Sequence, residues 1–151
     1  MQIPELSKNQ LTLIGLISAA VLIVIILLAV YWNKIKTRIN EIKADNEIKK
    51  EIDKSELTLS EVQIEALADK LYQAMDGPGT DEGKIYSVFE QINNYSELMM
   101  LIRAFGQRKS SWELFWGSPT GLADWLNADL DGGEINHLNS ILAGKNIDFK
   151  F

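Results

Sequence analysis

A chain of 151 residues with a net charge of −6 has room for one domain of ordinary size. With no cysteine it has no disulfides, thiolate metal sites or cysteine nucleophiles, and its single histidine, His137, excludes multi-histidine zinc sites. The charge is uneven: residues 58–151 carry −7, and such a surface excludes nucleic acid as a partner, because phosphate binding needs clustered Lys and Arg.

Residues 1–10 form a short N-terminal tail, and the apolar run LTLIGLISAAVLIVIILLAVYW follows at 11–32. As a helix it spans roughly 33 Å, enough to cross the hydrocarbon core of a bilayer. Tyr31 and Trp32 close it where an interfacial aromatic belt belongs, and Lys34, Lys36 and Arg38 come directly after. A cleaved signal peptide has a shorter apolar region, basic residues before it and small residues after it. The expectation is a retained single-pass anchor. The positive-inside rule then favours a cytoplasmic C-terminal domain. Gly15, Ser18 and Ala19 are small enough to let two such helices pack, or are simply tolerated in lipid.

Residues 33–57 mix both charges without Gly or Pro, as a solvated helical stalk does. Ile35, Ile39 and Ile42 have coiled-coil spacing, so self-association into a homo-oligomer is one expectation. The seam then passes to Asn46 and Lys49, leaving Ile48 and Ile52 out of phase. Glu47 with Lys50, and Glu51 with Lys54, add ion pairs at helical spacing.

From Thr58 onward the periodicity predicts a five-helix, all-α domain over 58–151. Thr58 with Glu61, or Ser60 with Gln63, provides a capping box for the first helix, whose apolar stripe is Ile64, Leu67, Ala68, Leu71, Tyr72 and Met75. Gly77-Pro78-Gly79 stops it. Thr80 is the expected N-cap of a second helix running to about Ile92, and Ser96 that of a third from Glu97 to about Gln107. Ser118-Pro119 is placed to start a fourth through Leu130. Asp131 and Glu134 frame a fifth, with Gly144 as its C-cap. The alternating tail 147–151 is too short to alter the class.

The turn Met75-Asp76-Gly77-Pro78-Gly79-Thr80-Asp81-Glu82 invites two readings. It is a capped helix–helix connection, or its main-chain oxygens converge on a hard cation such as calcium, with a carboxylate from elsewhere completing the shell. At this point the order of parts resembles an annexin repeat. Ala74-Met75 ends the first helix, the Gly-Pro-Gly-Thr-Asp-Glu turn follows, and Leu122-Ala123-Asp124-Trp125-Leu126-Asn127-Ala128-Asp129-Leu130 matches the fourth helix. The resemblance covers roughly residues 60–143. It implies that the carbonyls of Met75, Gly77 and Gly79 and the carboxylate of Asp129 bind calcium, with water or a lipid phosphate completing the shell. Such a site bridges an acidic domain to an anionic lipid or a protein partner. The stretch between turn and acid is longer than in the family, with the excess around 109–120, and Asp131 is the alternative carboxylate.

Other constellations carry less. An EF-hand loop counted from Asn127 reaches Leu138 at its twelfth position instead of a glutamate. His137 has no catalytic partners in the sequence and reads as a surface or half-buried side chain. Trp112, Phe115 and Trp116 are expected to tuck into the core, with an exposed docking patch as the alternative. No phosphate loop, nucleophile elbow or acid/base carboxylate pair is present, so no enzyme is expected. Two functions remain: a membrane-anchored calcium-binding module, or a structural or assembly protein of a bacterial envelope or phage particle with a calcium-indifferent bundle.

Overall fold

The computed structural model describes residues 8–112 and 117–151, with side chains from Val21 onward except those of Thr37 and Glu41. The fold is all-α. Among the described residues six helices follow in order: α1 (Lys8–Glu51), α2 (Glu61–Met75), α3 (Glu82–Phe89), α4 (Tyr95–Phe105), α5 (Leu122–Asp129) and α6 (Gly132–Gly144), with a 3-10 turn at Lys54–Glu56 between the first two. The described residues hold no strand; the single ladder-like contact pairs Arg108 with Thr120.

The chain divides into two compact units between Ala44 and Asp45. In the first, every large apolar side chain described over 21–32 is 51–72 % exposed, and Ile39 and Ile42 are exposed as well. Among the described residues no helix is long and apolar enough to cross a membrane. Positions 11–20 of the apolar run lie outside the residues whose side chains are described.

The second unit begins earlier than the capping box near Thr58 suggests. Ile48 and Ile52, out of phase with the stalk seam, pack against the bundle core. Arg103 donates from Nε to Asp45 at 2.6 Å, Tyr95 hydrogen-bonds Glu51, and the Asp53 N–H donates to Ser96 Oγ at 3.0 Å. Residues 45–57 thus belong to the bundle by packing, although their charge makes them look like a solvated stalk.

The core forms where the apolar stripes of α2 (Ile64, Leu67, Ala68, Leu71), α3 (Ile85, Val88, Phe89) and α4 (Leu98, Leu101, Phe105) meet. α2 packs on α3, α4 and α5, and α6 closes over α3. Of the two capping boxes offered to α2, Ser60 with Gln63 forms, while Thr58 bonds elsewhere.

Four caps differ from the sequence expectation. Asp81, not Thr80, caps α3 by accepting the Lys84 N–H at 2.9 Å. Asn94, not Ser96, caps α4, because the Ser96 hydroxyl is buried against Asp53. α5 starts after Gly121 and not at Ser118-Pro119, since the Arg108–Thr120 pairing keeps the chain extended until then. Gly144 is the last residue of α6; the left-handed position falls on Asn146 (φ 58°). There the N–H groups of Asn146 and Ile147 return to Ala143 and Leu142 at 3.0 Å, and Ile147 is buried, which is a Schellman closure. The tail then lies against α6, where the Asn139 amide pairs with both backbone groups of Phe151.

Candidate functional site

The turn after α2 is pinned at both ends. The Asp76 N–H donates to Tyr72 O at 2.8 Å, and the Asp81 N–H reaches back to Ala74 O at 2.9 Å. Between them Gly79 adopts φ 91°, which a side chain would strain, so glycine is required there. Met75 is buried, Gly77 half-buried and Gly79 exposed.

Facing this turn is the base of a loop that the sequence left without a structure. Arg108 and Thr120 exchange two backbone hydrogen bonds of 2.9 Å and close it. Tyr72 donates its hydroxyl to Lys109 O at 2.9 Å, and the Trp125 indole N–H reaches Arg108 O at 3.3 Å. Asp76 accepts from the Ser111 N–H at 2.8 Å and from Ser110 Oγ at 3.2 Å. These bonds to its charged form hold the Asp76 carboxyl below its ordinary range, although burial opposes them. The Arg108 guanidinium lies 5.0 Å from the Tyr72 ring centre and 4.9 Å from that of Phe105, and it pairs with Asp69 at 2.8 Å. Trp112, at the start of the loop, is 66 % exposed, so the expectation of a core position fails for it. Its backbone N–H donates to Ser110 Oγ at 3.2 Å, and its side chain, largely open to solvent, borders the cavity between turn and loop. Phe115 and Trp116 lie outside the described residues.

A cavity of about 270 Å³ separates turn and loop, and Met75, Gly77 and Asp129 share its wall; Gly79 does not line it. Asp129 ends α5. Its Oδ2 is buried and is the one buried side-chain polar atom without a hydrogen-bond partner among the described residues. Burial pushes the Asp129 carboxyl above its ordinary range, and the Thr80 hydroxyl, on the α2–α3 turn, pulls the other way.

An unpartnered carboxylate oxygen is costly, of the order of 1–3 kcal/mol, unless something answers it. Asp129 itself lines a cavity together with Met75 and Gly77 of the glycine-rich turn. Carboxylate and main-chain carbonyl oxygens are hard donors, which suit calcium and suit a soft thiophilic metal poorly. Among the described residues no three His, Asp or Glu side chains gather to hold a metal, so a cation here depends on main-chain oxygens for most of its shell. Asp131, the alternative carboxylate, caps α6: its Oδ1 accepts the N–H groups of Gly133 and Glu134 at 2.8 and 2.9 Å. The Asn127 side chain, where an EF-hand would begin, donates instead to Ala123 O. His137 is exposed, edge-on to Tyr86 at 4.6 Å between ring centres.

Sequence reasoning missed the polar residue that matters most to the fold. Glu97 is fully buried, and its carboxylate accepts the Thr58 N–H and hydroxyl, the Leu59 N–H and the Asn93 N–H at 2.6–3.0 Å. Burial alone would raise its carboxyl; the four donors outweigh it and hold it below its ordinary range. A glutamate in a first helical turn reads as a dipole partner, and nothing local announces that it is a staple. Compared with known proteins, the chain matches no family model, no curated protein and no solved structure.

Proposed function

We propose that this chain is a membrane-anchored, non-enzymatic binding module that takes up calcium between the 75–80 turn and Asp129. The carbonyls of Met75, Gly77 and Gly79 and the Asp129 carboxylate would hold the ion. Its charge would join the acidic helical domain to an anionic headgroup or an acidic protein face. The observation that carries this reading is the orphaned Oδ2 of Asp129, a residue that shares a cavity wall with Met75 and Gly77. The annexin-like order of turn and fourth helix supports it.

For the anchor, the support is the 22-residue apolar run at 11–32, together with the exposure of every large apolar side chain described over 21–32. A helix apolar on all faces is stable when buried in protein or in lipid. The test is a thermal melt of the full chain in phosphatidylcholine nanodiscs with and without calcium. The reading requires a calcium-dependent rise in Tm that disappears in Asp129→Asn, and an unshifted melt at millimolar calcium defeats it.

One observation favours a second reading, that of a calcium-indifferent assembly protein: Trp112 is exposed beside a loop base closed by hydrogen bonds. An exposed tryptophan is a good anchor for a protein partner. Loss of partner binding in Trp112→Ala, with calcium without effect, would select this reading over the first.

A further inference from the structure

The described surface carries a second, larger cavity, with no part in the calcium reading. It measures about 440 Å³, within the range of small-molecule sites, and lies where the end of α1, the 3-10 turn and α4 meet in the second unit. Its floor is apolar: Ile52, Leu57, Leu59 and Met100, all half-buried. Its rim is cationic, formed by Lys49, Lys54 and Arg103. We propose that this cavity binds an anionic amphiphile, an acyl chain lying on the apolar floor with its acid group held by the three cations.

Charge points to the sign of the head group. Three cations meet here although residues 45–151, which include all three, carry −9. Lys49 and Arg103 share one carboxylate, Asp45, at 3.3 and 2.6 Å, and Lys54 has no ion pair among the described residues. Arg103 uses Nε on Asp45, so its two terminal nitrogens remain for a forked contact with a carboxylate or phosphate. Among the described residues, Glu61 is the one acid on the rim, and Asp45 is the carboxylate that pairs with Lys49 and Arg103. The neutral polar group of the wall, the Ser60 hydroxyl, is committed to Gln63 in the α2 capping box. The cations outnumber the one rim acid, Glu61, and set the charge that orients a ligand.

Size points to a chain rather than a peptide helix. A helix about 10 Å across fills about 420 Å³ per turn, so the cavity would take a single turn, too short to recognise an amphipathic partner. An acyl chain is narrower and fits along the floor of the larger cavity. The adjoining cavity of about 210 Å³ shares Glu61, Met100 and Arg103 with it but is also lined by Asp45 and Glu65, so its acids would turn an anionic ligand back into the larger one. The same chemistry is offered by a free fatty acid and by an anionic phospholipid.

The test is photocrosslinking of the full chain in phosphatidylcholine nanodiscs, mapped by mass spectrometry. One arm uses a decanoic acid bearing a diazirine, the other a diazirine-bearing phosphatidylglycerol within the disc. Labelling is expected on 52–59 and at Met100, and decanoate should compete better than uncharged decanol. The double variant Lys49→Glu, Lys54→Glu changes two exposed side chains and should lower labelling about tenfold, the worth of one charge-assisted contact. Met100→Trp, which fills the floor, should remove it. Labelling by the free acid alone marks a soluble ligand, and labelling by the lipid marks a bilayer source; either supports the site. Equal competition by decanol, unchanged labelling in the double variant, or label confined to 21–32 would each overturn it.

Discussion

Glu97 and Asp129 are carboxylates of one bundle, both drawn out of water, and the protein treats them in opposite ways. Glu97 meets four donors from the 58–59 segment and Asn93, and its carboxyl is held below the ordinary range. Asp129 has the Thr80 hydroxyl near it and nothing on Oδ2, and its carboxyl is pushed above the ordinary range. A fully satisfied buried charge is a device of the fold. A half-satisfied one is a cost that folding alone does not explain, and such costs collect where a protein meets a ligand.

The comparison breaks most visibly at Glu97. Glu97→Ala leaves four donors without their acceptor and should cost about 3 kcal/mol, a fall in Tm of more than about 10 °C. Thermal melts check this, and a loss below about 1 kcal/mol would mean that water replaces the carboxylate cheaply.

Next in size is the calcium effect. At a concentration a hundredfold above Kd, an ion bound only by the folded state adds about 2.7 kcal/mol, which should vanish in Asp129→Asn.

The pH dependence sharpens the contrast, because the two groups have opposite signs. Glu97 has a lowered folded pKa, so its contribution is present above the unfolded value of 4.5 and is lost as pH falls through the folded one. Asp129 has a raised folded pKa, so its charge weakens the fold at neutral pH and acidification toward 3.8 relieves it. Asp129→Asn should therefore raise the calcium-free Tm at pH 7 by about 4 °C, for about 1 kcal/mol of removed penalty. At a pH below 3.8 the gain should disappear. Smallest of all is Trp112→Ala, which should change stability by no more than about 0.5 kcal/mol, since the indole is exposed.

The helices were legible because Ile64, Leu67, Leu71 and their counterparts repeat at helical spacing, and that pattern is local. Caps were legible only in part. Thr80, Ser96 and Ser118 are good caps in isolation, but Asp81, Asn94 and Gly121 won because tertiary contacts had already engaged those neighbourhoods. Ile48 and Ile52 showed a phase break and not what it meant: the last turns of α1 leave the stalk seam and join the core. Glu97 was illegible, since its four donors come from residues 4 to 39 positions away. At the candidate site, the residues suggested by the annexin-like turn fall unevenly. Met75, Gly77 and Asp129 line one cavity, while Gly79 shapes the turn and stays off that wall. The clamped loop base at Arg108 was not foreseen, because a backbone pairing across a polar, irregular stretch leaves no periodicity to read.

The most direct measurement is a calorimetric titration of calcium into the full chain in nanodiscs, with and without anionic phospholipid, beside Asp129→Asn. The account predicts saturable heat in the native chain, tighter binding with anionic lipid, and no binding in the variant. Heat of equal size in both proteins, or none in either, would contradict it and leave Asp129 an unanswered charge.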